Sequence, residues 1–291
     1  MKTSKVGGQS IGEALDGLFL RLEKTSDIPT LDAQLLLAHL MNRSRSWVLT
    51  HPETYLSSEQ VIDLEKNVSR LQDGEPLSYI LGVWEFFSLE FDVSPDVLIP
   101  RPETEHLVER ALSWLRKPRE RKEELGVLDV GTGTGCIPIA MAVNSTGITL
   151  TATDISPAAL KVARKNAEKM HVSERITYIE ADLFPNLPNP DCYSLITANL
   201  PYIPTKTLLK LPVYGHEPTL ALDGGSDGLV IIRRFLEKAP GWLLPGGLLL
   251  VEIEASEGSA VFEIASKVFP NARNQLYKDL AGHDRLLEVQ T

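Results

Sequence analysis

Cysteine is nearly missing from this chain: among 291 residues only Cys136 and Cys192 carry a thiol. That scarcity excludes a disulfide framework, and a reducing cytoplasm is the expected setting. No Cys/His cluster has the spacing of a zinc site, so no metal is expected. No apolar run reaches the roughly 18 residues that a membrane-spanning helix requires. The stretch from Met1 to Ser10 is polar and lacks the apolar segment of a signal peptide. Basic charge is short as well: 29 Lys and Arg stand against 39 Asp and Glu, a net charge of -10. Proteins whose affinity rests on neutralising phosphates carry a basic excess, so a nucleic-acid partner is disfavoured.

What is present suffices for one sizeable core and a smaller second one, with 43% hydrophobic residues. Residues 1–75 read as a small helical bundle. Ile11, Ala14, Leu15, Leu18, Phe19 and Leu22 recur at helical spacing on one face. A second helix is expected from Ser26 or Asp27, and a third stripe runs through Val61, Leu64, Val68 and Leu71. Residues 76–100 change to a period of two, with Phe87, Leu89 and Phe91 alternating with Ser88 and Glu90. With Pro95-Asp96 as the turn, a β-hairpin linker is expected there. Residues 101–291 then alternate strand and helix, the pattern of a parallel sheet covered on both faces. Thr104 or Glu103 suits the cap of the first helix. At the end, Asn274–Tyr277 and Arg285–Val289 read as an antiparallel hairpin at the sheet edge. The Lys117 to Lys122 stretch reads as a solvated linker.

The chemistry concentrates behind the strands. Gly131-Thr132-Gly133-Thr134-Gly135 follows the first core strand, where glycines permit a tight turn and close approach of a ligand to the backbone. A dinucleotide fingerprint would place glycine at 136, but Cys136 stands there. The loop suits a nucleoside carrying an amino acid better than a pyrophosphate. Asp154, at the end of the second strand, is placed to accept from both ribose hydroxyls, and Asp182 and Leu183 to border an adenine. Asn199-Leu200-Pro201-Tyr202 ends the fourth strand. An asparagine oxygen and a main-chain carbonyl can each accept one N–H of a planar nitrogen. That grip orients the nitrogen and favours its pyramidalisation as it attacks an electrophile held in line. Tyr202 can pack on the planar group. No histidine is placed as a base. Alkylation of a neutral planar nitrogen needs none, because its proton turns acidic once the new bond forms; His216 is read as structural.

These pieces together resemble the HemK/PrmC family of release factor glutamine methyltransferases. Further carriers are Asp32-Ala33, Pro76-Leu77, the run from Leu98 to Glu105, Glu217-Pro218, Leu220-Ala221-Leu222, Lys278-Asp279-Leu280 and Asp284-Arg285. The resemblance spans about Asp32 to Glu288. It implies a class I methyltransferase: a Rossmann-like seven-stranded sheet with a C-terminal antiparallel hairpin, preceded by a small all-helical domain that docks substrate. The implied reaction moves a methyl group from S-adenosylmethionine to N5 of the glutamine in the Gly-Gly-Gln loop of class 1 peptide-chain release factors, leaving S-adenosylhomocysteine. Gly131 to Gly135 would then hold the methionine part of the cofactor and Asp154 the ribose. Asn199 to Tyr202 would hold the amide, with Arg101 and Glu103 at the pocket mouth. The implied actor is a cytoplasmic monomer without direct nucleic-acid or membrane contact. Leu200 departs from the proline usual in the family; it keeps the carbonyl and loses ring rigidity, which Pro201 partly restores. Gly7-Gly8-Gln9 repeats the substrate tripeptide by chance.

The alternative reading is an N6-adenine or other nucleic-acid amino-group methyltransferase, which uses similar Asn-Pro-Pro-Tyr logic. The net charge and the Pro100 to Glu105 segment speak against it. An NAD-dependent oxidoreductase is disfavoured by Cys136 and by Asn199 to Tyr202. A non-catalytic binding module on the same fold is the third rival.

Overall fold

The computed structural model describes residues 8–24, 26–117, 124–186 and 193–291. Gly7, Cys192 and most of the Lys117 to Lys122 stretch lie outside the described residues. The chain divides into two compact units, Met1–Gly82 and Val83–Thr291.

The first unit is helical. Helix α1 (Ile11–Leu22) starts at a capping box: Glu13 N–H donates to Ser10 Oγ at 3.3 Å, and Ser10 N–H to the Glu13 carboxylate at 2.9 Å. Its buried stripe is narrower than the spacing predicts. Ile11, Ala14, Leu18 and Leu22 are buried, whereas Phe19 is 40% exposed. Helix α2 (Pro29–Met41) starts with proline in its first turn, not at Ser26 or Asp27. Ser26 instead donates to the buried Asp32 and accepts from Ile28 N–H, an arrangement that closes the turn ahead of the helix. Helices α3 (Arg45–Thr50), α4 (Ser58–Gln72) and α5 (Leu77–Leu81) follow, and α4 opens on a second capping box, Ser57 with Gln60. Leu36, Leu37, Val48, Leu64 and Val68 fill the centre. Gly82, at φ 73°, ends α5 in the left-handed conformation that glycine adopts without steric cost.

Residues 76–100 are therefore not one linker. Strands β1 (Val83–Phe86) and β2 (Leu89–Asp92) form an antiparallel hairpin whose Phe86 and Phe91 belong to the core of the second unit. The turn lies at Phe87-Ser88, not at Pro95-Asp96, and Phe87 and Ser88 have φ 53° and 60°. Positive φ at both central residues matches the twist of flanking strands, and no glycine announces it here. Phe91 is fully buried. Phe91→Ala is expected to lower stability by about 3–5 kcal/mol, read as a fall in the denaturant midpoint at constant m-value.

Helix α6 (Glu105–Leu115) follows a short 3₁₀ turn at Pro102–Thr104. Neither Thr104 nor Glu103 caps it with a side chain. The alternation then runs β3 (Leu125–Val130), α7 (Cys136–Asn144), β4 (Ile148–Asp154), α8 (Pro157–Lys169), β5 (Ile176–Glu180) and β6 (Tyr193–Asn199). A short excursion, β7 (Ile203–Pro204), α9 (Thr205–Leu208) and β8 (Asp223–Gly225), precedes α10 (Val230–Lys238), β9 (Leu243–Glu252), α11 (Gly258–Val268), β10 (Arg273–Lys278) and β11 (Asp284–Gln290). The seven-stranded sheet has the order β10-β11-β9-β6-β3-β4-β5. The five strands from β9 to the β5 edge are parallel, and β11 runs antiparallel between β9 and β10. The expected seven-stranded α/β sheet with an antiparallel C-terminal hairpin is what forms. Strand alternation sends Val127, Leu195, Leu248 and Leu250 to one core and Leu128, Ile196, Leu249 and Val251 to the other. Both faces are buried, which explains the near-continuous apolar strands.

Candidate active site

The carboxyl ends of β3, β4, β6 and β9 meet in register: Val130 beside Thr153 and Ala198, and Asn199 beside Glu252. Loops leaving these ends build a cavity of about 620 Å³. Gly131, at φ 75°, begins the turn, and the N–H groups of Gly131 and Thr132 both donate to Thr153 O at 2.9 Å. A Cβ on Gly131 would stand 3.0 Å from Leu200 Cδ2, so the backbone passes closely under that side chain. Gly133 meets open space and donates its N–H to Asp154 Oδ2 at 2.8 Å. Asp154 Oδ1 accepts from Ser156 N–H at 2.9 Å. Burial raises the Asp154 pKa, against these backbone hydrogen bonds. Gly135 serves packing instead. A Cβ there would lie 2.9 Å from Ile139 Cδ1 and 3.1 Å from Ala163 Cβ, so its bare backbone lets α7 settle against α8.

The larger cavity thus takes in Gly131, Gly133, Asp154, Asp182, Leu183, Asn199, Leu200 and Pro201. Thr132, Thr134 and Gly135 of the expected set do not line it. Asp182 is paired with Arg234 at 2.6 Å, and both stand on the wall. Val97 and Leu98, Ile155, Arg234 and the stretch Pro218 to Ala221 complete the enclosure, and sequence reasoning misses them as site residues. Leu98, Pro218 and Leu220-Ala221 carry family resemblance in the sequence, but nothing in their residue types signals a wall.

A smaller cavity of about 130 Å³ adjoins at Asn199 and is lined also by Leu98, Arg101, Tyr202 and Ile203. Arg101 is held by an ion pair to the buried Glu217, whose other oxygen accepts from Ile99 N–H at 3.1 Å. Arg101 is thus part of a wall rather than a helix cap. Glu103 lines neither cavity, though its charge reaches Glu252 and Tyr202. Burial pushes the Tyr202 hydroxyl well above its ordinary value, so it stays protonated. His216 lines neither cavity.

Leu98, Ala221 and Asn199 are common to both cavities, and Asn199 is the polar one. Its Nδ2 donates to Thr104 Oγ1 at 3.0 Å, and Thr104, itself in helical backbone, does not cap α6. Two buried carboxyls lie close by. Burial pushes Asp129, the residue two before the loop, up to about 6, opposed by hydrogen bonding that includes Thr197 Oγ1 at 2.7 Å. Burial likewise pushes Glu252 up to about 7, with hydrogen bonds from Thr104 and Asn199 opposing. Asn166, fully buried on α8, ties the loop to the hairpin: its Nδ2 donates to Thr134 O and Asp92 O, each at 3.0 Å, and its Oδ1 accepts from Asp92 N–H at 2.7 Å.

Comparison with known proteins finds relatives of the chain. The family profile of the PrmC N-terminal domain matches residues 13–82, and that of a methyltransferase domain matches 127–211. A release factor glutamine methyltransferase of Coxiella burnetii is 43% identical over 243 residues, covering 84% of this chain and 85% of the relative. One from Moorella thermoacetica is 39% identical, covering 95% of each. A solved methyltransferase structure from Pyrococcus furiosus superposes with a TM-score of 0.51 at 16% identity, over 80% of this chain and 98% of that one.

Proposed function

Because the chain belongs to the release factor glutamine methyltransferase family, we propose the following reaction for the site just described. It transfers a methyl group from S-adenosylmethionine to N5 of the glutamine in the Gly-Gly-Gln loop of class 1 peptide-chain release factors. The single observation that carries this is Asn199, one side chain shared by a cofactor-sized cavity and a small one.

The residues present fit the cofactor. A cavity of about 620 Å³ is within the usual range for such ligands. Gly133 leaves open space at the loop, Asp154 offers remaining lone pairs for ribose hydroxyls, and Ile155 and Leu183 give an apolar border for a base. No pyrophosphate cradle is needed, consistent with Cys136 where a third glycine would stand. When bound, S-adenosylmethionine supplies the methyl group on a sulfonium centre and leaves as S-adenosylhomocysteine.

The chain's own part is to hold the acceptor. Asn199 Oδ1 and the Leu200 carbonyl each accept one N–H of the glutamine amide and aim its lone pair towards the larger cavity. These two acceptors also stabilise positive charge growing on nitrogen. Tyr202, neutral throughout, packs on the planar group, and Arg101, anchored by Glu217, closes the slot. The proton leaves the alkylated nitrogen to solvent. The helical unit docks the release factor, and the enzyme acts as a cytoplasmic monomer without nucleic acid or membrane. The net charge of -10 speaks against a phosphate-rich partner.

Incubation with labelled cofactor, release factor and nucleic acid side by side tests the assignment. One added methyl on the Gly-Gly-Gln peptide by mass spectrometry is expected; label confined to nucleic acid overturns it.

A further inference from the structure

A buried carboxylate with no salt bridge among the described residues needs a reason, and Glu252 is such a group. It ends β9, directly beside Asn199 in the sheet register, and is 3% exposed. Its Oε2 has no hydrogen-bond partner among the described residues. Placing a carboxyl there is costly, and a neutral side chain of the same shape would be cheaper if the role were only to fill space. Glu252 lines neither cavity, so it does not touch the acceptor.

We propose that Glu252 is a positioning residue that fixes the Asn199 amide with its nitrogen turned into the protein and its oxygen left for the substrate, acting through the Thr104 hydroxyl. The inference rests on reading Asn199 as the amide clamp. An asparagine amide has two N–H donors on one side and an acceptor oxygen on the other, and either way round occupies the same volume. Only its partners choose. Here Nδ2 donates to Thr104 Oγ1 at 3.0 Å, and Thr104 and Asn199 both lie close enough to the Glu252 carboxyl to favour its charge. An ionised carboxylate accepts and never donates. With the charged Glu252 carboxylate nearby, the single Thr104 hydrogen turns towards it, which leaves the Thr104 oxygen only as an acceptor for Asn199. The direction of the whole chain, from Asn199 through Thr104 to Glu252, follows from one charge.

The surroundings set when that charge is present. Glu103 from the turn before α6 repels it, Arg285 from β11 attracts it, and Tyr202 and Cys136 respond to it. Arg285 is already engaged by Asp279 at 2.9 Å, so it does not neutralise Glu252 by direct contact. Burial dominates and brings the carboxyl to about 7. Above that pH the group is ionised and the chain has one direction. Below it the protonated carboxyl can donate to Thr104, and the reversed amide becomes allowed. Turnover therefore falls as pH drops through about 7.

The test uses the full chain with S-adenosylhomocysteine bound and asparagine labelled with ¹⁵N. In the parent, the Asn199 side-chain amide resonances are expected to titrate with a midpoint near 7. In Glu252→Gln that titration is absent. The same variant is expected to lose kcat on the order of tenfold or more, the scale of outer-shell partners. It should also lose the acidic limb of its pH profile, while S-adenosylhomocysteine Kd and the KM for release factor stay within about twofold, because binding contacts are untouched. Thr104→Val, which leaves the carboxyl in place, should reproduce the kcat loss, and the double variant should be no worse than the weaker single one, since the groups act in series. Asn199 resonances that ignore Glu252→Gln, or a Gln variant with parental kcat and pH profile, overturn the proposal. If Glu252→Gln does not fold, Thr104→Val with parental kcat overturns it as well. If the parent shows the Asn199 titration yet methylates no release factor, the reaction assignment fails and the positioning role stands.

Discussion

Asn199→Ala is expected to lower methyl transfer on the order of a hundredfold or more, the loss typical when one preorganised electrostatic partner is removed, while S-adenosylhomocysteine still binds. The asymmetry follows from what the side chain touches. Its nitrogen is spent inside the protein on Thr104, and its oxygen is the atom left for a ligand. The cofactor side of the larger cavity keeps Gly131, Gly133, Asp154 and Leu183. Alanine thus removes an interaction that matters most as positive charge grows on the acceptor nitrogen, which lowers kcat rather than cofactor affinity. Single-turnover transfer of labelled methyl, with calorimetry of S-adenosylhomocysteine on the same sample, separates the two. Parental turnover in the alanine variant contradicts the clamp. A variant that loses product binding as strongly as turnover relocates Asn199 to the cofactor.

Asp154→Ala has the opposite signature. Two hydrogen bonds from ribose hydroxyls to a carboxylate are worth about 1.5–3 kcal/mol each in charged form, so cofactor Kd should rise on the order of a hundredfold. The same carboxylate also accepts from Gly133 N–H and Ser156 N–H, and its loss unties the glycine turn from the start of α8. Asp154→Asn keeps one oxygen and should fall between. At saturating cofactor kcat should recover much of its parental value, because the acceptor slot is intact. Titration calorimetry with S-adenosylmethionine checks this, and an unchanged Kd in the alanine variant would remove Asp154 from the ribose.

The parts of this arrangement legible in the sequence are those written in short-range chemistry. The strand-helix alternation announces the parallel sheet. Gly131, Gly133, Asp154 and Asn199 all sit where a strand stops, and their residue types state what each can bind. The rest depends on which distant segments meet. Leu98 and Leu220 line one cavity from loops far apart in the chain, and neither carries a local mark. Glu252 is one strand-end carboxylate among several, distinguished only by burial beside Asn199. Thr104 shows a capping residue in the right place, but its hydroxyl goes to Asn199 instead. The Phe87-Ser88 turn is hidden because an apolar residue in left-handed backbone reads as strand. The glycine at 135 looks like part of the ligand loop, yet its missing side chain makes room for Ala163.

Asn166 carries a consequence for how such proteins diversify. By bonding at once to Asp92 in the hairpin and to Thr134 in the glycine turn, it makes two segments inherited far apart answer to one side chain. A crossover between relatives placed near residue 100 would pair one parent's hairpin with the other's turn, and the two main chains would have to present their N–H and carbonyl groups to Asn166 in the same place. Recombination ahead of Val83 carries the staple across whole, so hairpin and catalytic sheet descend together.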